Sequence, residues 1–319
     1  MEVLARLANL PGALPGACAQ GLIWGIMAIG VYLTYRILDV ADLTVDNSFG
    51  TGGAVCVMAL LTGQNVWTAL ILAFIAGLAC GLVTGLLHTF MGIPAILAGI
   101  LTQLALYSVN LKIMGKSNQS INVDKYDLLI SLRWVKEFAL HNPVIMVILI
   151  SAVLIGLLYW FFGTELGCGI RATGCNANMA RAQGINTNLN KVIGLMLSNG
   201  LVALSGALLA QYQKSCDINV GTGMVTIALA SLIIGETLLG KRSMVLRVGG
   251  VVFGSCLYRF IVAVALRFNV PAAAMKLVSA LIVAVAISMP AIRQKIAFEK
   301  RKQEARLRHA KTHGKKEAV

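Results

Sequence analysis

Charge is what this 319-residue chain has least of. Only 13% of its residues are charged against 58% hydrophobic, and the mean hydropathy is +0.80. Soluble domains carry about 25% charge, so the composition excludes a water-covered globule. Short alternating runs are missing too. Apolar stretches are continuous over about 20 residues, the length of a bilayer-crossing helix, where barrel strands would alternate over about 10. Paired cysteines are absent: Cys18, Cys56, Cys80, Cys168, Cys175, Cys216 and Cys256 form no CxxC and fall mostly in apolar runs, so neither a disulfide framework nor a zinc site is expected. The opening MEVLARLANLPGALPG has no basic n-region and no clear cleavage site, so no removed signal peptide is expected.

Catalytic signatures are lacking as well. No HExxH, GxSxG or clustered Cys/His set occurs, and the expectation is no catalytic residue, no metal ligand and no cofactor. Gly235-Glu-Thr-Leu-Leu-Gly240-Lys241 imitates a phosphate loop, but Arg242 stands where Ser or Thr would hold magnesium. The stretch before it also reads as a membrane helix rather than a strand. ATP binding by this chain is therefore not expected.

What is present is an all-α, polytopic helical bundle of about nine spans. Spans are expected near residues 17–35, 37–63, 66–90, 94–114, 143–162, 192–210, 224–239, 245–266 and 270–289. Residues 1–290 form one transmembrane domain and 291–319 a basic tail. From Arg293 onward, ten Lys or Arg face three Glu, which is +7 of the net +14. Such a tail reads as a cytoplasmic extension obeying the positive-inside bias rather than a nucleic-acid arm. His309 and His313 share a helical face there but have no third ligand. Counting back from that tail puts the segment 169–186 and the Lys241-Arg242 turn on the cytoplasmic side, and the connection 115–142 and the N-terminus outside. The LLISLRWVKEFAL part of that connection reads as an interfacial helix carrying Trp134.

Two features break the apolar pattern. Asp42 and Asp46, with Thr44 between them and Asn47 following, stand at the mouth of span two, just before Gly50, Gly52 and Gly53. Intramembrane carboxylates are costly and face a cavity or a partner, and glycines there allow a broken or re-entrant helix. Asp42 and Asp46 are four apart, so they read either as caps for a helix that restarts near Asn47 or as a cation or proton site. A weak internal repeat surrounds them. Asp42-Leu-Thr-Val45 is matched by Asp217-Ile-Asn-Val220 before span seven, and the two spans run in opposite directions, the signature of an inverted repeat with the pathway at its interface. Span three carries Gly77-xxx-Gly81-xxx-Gly85 and span eight Gly250-xxx-Gly254, each a face for close helix packing. The second feature is GIRATGCNANMARAQGIN, 169–186. Asn176 can cap about two helical turns there and Gly184 can end them, making a short surface helix for a soluble partner.

This last stretch resembles the coupling segment of ABC-importer permeases of the branched-chain amino-acid and ribose type. The pattern R-A-x-G-x-N-x-x-x-A-R-x-x-G-I is met by Arg171, Ala172, Gly174, Asn176, Ala180, Arg181, Gly184 and Ile185. Asp42-Leu-Thr-Val45 is similar to that family's D-L-S-V segment, and ALASLIIGETLLGKR to its glycine-rich seventh-span region. The likeness extends over roughly residues 15–290. Asp46 and Glu236 depart from it, each standing where a glycine is usual. In general look the chain is most similar to the branch associated with tryptophan or tyrosine uptake.

The resemblance implies a permease subunit in a bacterial cytoplasmic membrane, importing a small nutrient. Its partners would be a separate ABC ATPase, a second permease copy, an extracytoplasmic substrate-binding protein and the lipid bilayer, with no nucleic acid. Arg171, Gly174, Asn176, Ala180, Arg181, Gly184 and Ile185 would couple to the ATPase. Asp42, Thr44, Asp46, Asn47 and Glu236 are the candidates for the translocation pathway. The alternatives that stay open are an ion-coupled secondary transporter using Asp42 and Asp46, and a non-transporting membrane scaffold.

Overall fold

A chain in lipid must satisfy its backbone within each segment, so apolar runs of this length have helix as their one open-ended solution. The computed structural model describes residues 10–121, 143–240 and 243–267, with single positions beyond. In chain order it has α1 (Leu10–Tyr32), ending in a π-helical turn (Leu33–Ile37), α2 (Val45–Leu61), α3 (Val66–Thr89), α4 (Ala95–Met114) and strand β1 (Asn118–Ser120). Then follow α5 (Pro143–Gly163), α6 (Glu165–Cys175), α7 (Ala177–Ala182), α8 (Thr187–Gln213), strand β2 (Ser215–Asp217), α9 (Met224–Leu239) and α10 (Met244–Arg267). Among the described residues six helices are long and apolar enough to cross a membrane, and α2 and α9 are shorter apolar helices. The ninth span, the interfacial helix at Trp134 and the basic tail fall outside the described residues, apart from single positions.

Burial sorts the helices. The apolar windows of α1 and α8 are 78% buried and that of α5 only 17%, so the first two form the centre and α5 lies at the edge of the described bundle. Serines tie the centre together: Ser198 Oγ donates to the Gly30 carbonyl and Ser205 Oγ to the Ile23 carbonyl, both at 2.7 Å. Side-chain hydrogen bonds of this kind hold helices together where no hydrophobic force acts between them.

The bundle is an inverted repeat. One half is α1–α2–α3 and the other α8–α9–α10, and the third helix of each half packs on the first helix of the other: α3 on α8, α10 on α1. Gly77 and Gly81 lie against the backbone of Asn199 and Leu195, while Gly254 meets the Ser231 carbonyl of α9. The second helices, α2 and α9, have 17 and 16 residues, about 26 and 24 Å at 1.5 Å per residue, which falls short of the ~30 Å hydrocarbon core. Their N-termini meet. A Cβ on Gly221 would sit 1.6 Å from the Asp46 carbonyl oxygen, and Asp46 and Gly221 are equivalent when Asp42 is laid on Asp217. From there α2 runs to the end that holds Cys216 and α9 to the end that holds Arg36.

The sequence likeness between the halves is a shared turn. Asp42 Oδ1 accepts from the Thr44 amide at 2.9 Å, and Asp217 Oδ1 accepts from the Asn219 amide at 2.8 Å. Each aspartate folds its own chain two residues on. Two departures from the sequence reading appear. Residues 118–120 and 215–217, read as loop, pair as a short antiparallel ribbon with Gln119 opposite Cys216. Residues 165–175, ahead of the short helix expected after Asn176, are helical too.

Candidate functional site

The polar residues of the α2 mouth are buried and joined. Asn199 Nδ2, on the central helix α8, donates to Asp42 Oδ2 at 2.7 Å. Ser48 Oγ donates to Asn199 Oδ1 at 2.6 Å, and Thr44 and Thr84 share a hydroxyl bond of 2.7 Å. Asn47 Nδ2 donates to the Gln103 carbonyl at 2.5 Å. Asp42, Thr44 and Ser48 are 6%, 0% and 0% exposed, so their bonds are made inside the bundle, where an unmade one is expensive. Both oxygens of Asp42 are thus engaged by the fold, one by the turn before α2 and the other by α8.

Asp46 caps a different helix from its own. Its Oδ2 accepts from the Gly223 amide at 3.0 Å and its Oδ1 from the Val225 amide at 2.9 Å. A carboxylate of the first half therefore satisfies the N-terminus of α9 in the second, where the helix dipole also favours negative charge. Replacing Asp46 by alanine is expected to remove two charge-assisted bonds, about 1.5–3 kcal/mol each. The check is the thermal unfolding midpoint of the detergent-solubilised chain, which should fall by several degrees; Asp46→Asn, which keeps one acceptor, should lie between.

Glu236 sits elsewhere, near the C-terminus of α9. Its Oε1 is 3.0 Å from Arg36 Nε, with 13% and 40% of the two side chains exposed. The charges touch, although that oxygen is not aligned as a hydrogen-bond acceptor. Arg36 belongs to the π turn that ends α1, so this contact joins the two halves at their common end. The five pathway candidates thus divide: Asp42, Thr44, Asp46 and Asn47 lie around the start of α2, and Glu236 lies at the far end of α9.

The 169–186 segment folds as two helices at that same end. Thr164 Oγ1 accepts from the Gly167 amide at 3.3 Å and starts α6. Arg171 and Gly174 ride on α6. Gly174 does not break it, and its lack of a Cβ is used for contact: a Cβ there would lie 1.8 Å from the Ile37 carbonyl oxygen of the π turn. Thr173 Oγ1 accepts from Asn190 Nδ2 at 3.2 Å, anchoring α6 on α8. Asn176 ends α6 and caps α7, its Oδ1 accepting from the Asn178 and Met179 amides at 3.1 Å. Gly184 follows with φ +78°, the left-handed conformation that closes a helix and favours glycine. Ala180 is buried, Ile185 returns its amide to the Ala180 carbonyl, and Arg181 Nε donates to Thr187 Oγ1 at 2.8 Å.

Asn178 and Met179 project outward from α7, Met179 being 64% exposed. The sequence reading passed over Met179; the signal was a large apolar residue in a stretch otherwise of small and polar ones. Arg171 points away from this face, into an open pocket of about 450 Å³ at the foot of α5.

The chain is similar to known proteins over most of its length. Residues 14–287 match a family model described as the permease component of branched-chain amino acid transport systems. A tyrosine transport system permease protein of Clostridioides difficile (strain R20291) is 36% identical over 268 residues, covering 83% of this chain and 86% of that protein. An autoinducer 2 import system permease protein, LsrC, of Yersinia pestis (strain Pestoides F) is 26% identical over 255 residues, 77% of this chain and 68% of that one. Among solved structures, PsaBC from Streptococcus pneumoniae in complex with Fab matches with a TM-score of 0.50 at 17% identity, over 89% of this chain and 95% of that one, a likeness of fold.

Proposed function

We infer function from one premise: the chain belongs to the family of branched-chain amino acid transport permeases, and is a membrane-spanning subunit of an ATP-binding-cassette importer for a small nutrient. Beyond that premise, we propose that two copies form the pathway, that a separate ATPase docks on α7, and that an extracytoplasmic binding protein delivers the substrate. The cargo proposed is an amino acid with an aromatic side chain, supported by the relative that carries tyrosine transport in its name. In this reading the end bearing α6 and α7 is cytoplasmic, as is the C-terminal tail. Asp42, Thr44, Asp46 and Asn47 act as the frame on which the half-helices beside the pathway turn.

The observation that carries the ATPase contact is α7 itself. It is a six-residue helix, too short to persist alone, held by a side-chain cap at one end and a left-handed glycine at the other. Its buried side rests on α8 and its outer side is open. Such a built projection costs stability unless something grips it. Motion of the ATPase would push α7, carry α6, and so move the π turn and the two halves it joins.

Replacing Asn176 by alanine removes the cap, about 1 kcal/mol, and Gly184→Val forces a β-branched residue to positive φ, about 1–2 kcal/mol or more. Both variants should insert normally. In proteoliposomes with the ATPase and loaded binding protein, the rise in ATP hydrolysis on adding substrate should be lost in each. Normal stimulation in both removes α7 as the docking site. Uptake by the chain alone, driven by a sodium or proton gradient without ATP, removes the importer reading.

A further inference from the structure

At the foot of α5 the chain does something the transport cycle does not require. Gly163 ends the helix, Thr164 starts α6, and the turn leaves an open pocket lined by Tyr159, Trp160, Gly163, Thr164, Arg171 and Met244. At about 450 Å³ it lies in the size range of small-ligand sites. Arg171 is exposed and forms no ion pair or hydrogen bond among the described residues. Trp160 and Tyr159 are 70% and 61% exposed on the last turn of α5, where aromatic rings sit at headgroup level.

The pocket adjoins an exposed apolar row on α5. Leu149, Val153, Leu157 and Trp160 follow one another at helical spacing and are all exposed, on the least buried of the long spans. This gives an apolar track about 16 Å long at 1.5 Å per residue, topped by a ring and then by an unpartnered guanidinium. A ligand that fits has two parts: acyl chains for the track and a phosphate for the fork of Arg171.

We propose that this pocket binds the headgroup of an anionic phospholipid, with Arg171 on the phosphodiester, Trp160 and Tyr159 beside the glycerol backbone, and acyl chains along α5. Basic pockets at membrane helix ends take anionic headgroups by the same chemistry. Because Arg171 stands on α6, the lipid holds the helix that links α7 to the π turn. The assignment rests on the orientation proposed above only for the leaflet; the binding itself does not depend on it.

The test uses the full chain in nanodiscs of phosphatidylcholine doped with acyl-brominated lipid, reading tryptophan quenching. The part due to Trp160 is the difference from Trp160→Phe. Brominated phosphatidylglycerol should reach half-quenching at a mole fraction about fivefold lower than brominated phosphatidylcholine, the effect of one cation at the surface. Arg171→Gln should bring the two lipids together, and Arg171→Lys should keep most of the preference, which separates charge from folding. Equal quenching by both lipids in the unmodified chain overturns the proposal, as does a preference that survives Arg171→Gln. If excess inorganic phosphate erases the preference, the pocket takes a free oxyanion and not a lipid. If binding of the ATPase erases it, the pocket is a protein contact.

Discussion

Replacing Gly206 by valine is expected to prevent the bundle from assembling. A Cβ at this position would lie 2.0 Å from the Phe49 carbonyl oxygen, and the reciprocal Cβ at Gly52 would lie 1.9 Å from the Ala203 carbonyl oxygen. Helices α2 and α8 thus cross backbone to backbone, each glycine seated on the carbonyl three residues before the other. No rotamer relieves such a clash, because the obstructing atom is main chain. The helices would have to part by more than an ångström, and the partners nearest the crossing would part with them. Ser48 would leave Asn199, and Asn199 would leave Asp42, stranding a buried carboxylate. The cost is about 4 kcal/mol or more, the range reached when overpacking and an orphaned buried charge combine. The measurement is the monodisperse fraction on size exclusion after detergent extraction, expected to collapse for Gly206→Val and to fall clearly for Gly206→Ala. Gly156→Val, in α5 where a Cβ meets nothing within 4 Å, should elute like the unmodified chain. Unchanged elution of Gly206→Val would mean that α2 and α8 do not cross as described.

How much of this was legible beforehand follows from which forces are local. Lipid demands about 20 apolar residues per crossing, so the spans could be read from run length, and the expected 224–239 matches α9 residue for residue. The repeat was visible because its turn is local, one aspartate bonding two residues ahead in each half. The glycines of α3 announced close packing, and α8 proved to be what they pack on. Everything that depends on a partner far along the chain stayed hidden. Nothing near Asp46 says that its carboxylate caps the start of a helix about 180 residues later, and nothing in 118–120 names 215–217 as its pair. Glycines 169 and 174 hid α6 because propensity alone disfavours them in a helix. Contact with Asn190 and with Ile37 overrides that preference.

Reversing the charge of Glu236 is expected to disable the link between the two halves. In Glu236→Lys a cation faces Arg36, with Arg247 also near Tyr32 on the same stretch, so an attraction becomes a repulsion. Arg36 is 40% exposed and solvent screens part of this, which leaves about 1–2 kcal/mol in the balance between conformations, a five- to thirtyfold bias. The consequence reaches transport because of where Arg36 sits. Gly174 rests on the Ile37 carbonyl, so in the proposed cycle a push on α7 arrives at the π turn, and the ion pair hands it to α9. Uptake by the reconstituted importer should fall about tenfold in Glu236→Lys, while size-exclusion behaviour stays normal. Arg36→Glu alone should do the same. The double exchange, Arg36→Glu with Glu236→Arg, restores attraction in reverse and should recover most of the rate. Recovery distinguishes a pair from two separate roles: a Glu236 that met substrate directly would stay impaired whatever stands at position 36. If the double variant is no better than the singles, Glu236 belongs to the pathway and the halves are linked by another contact.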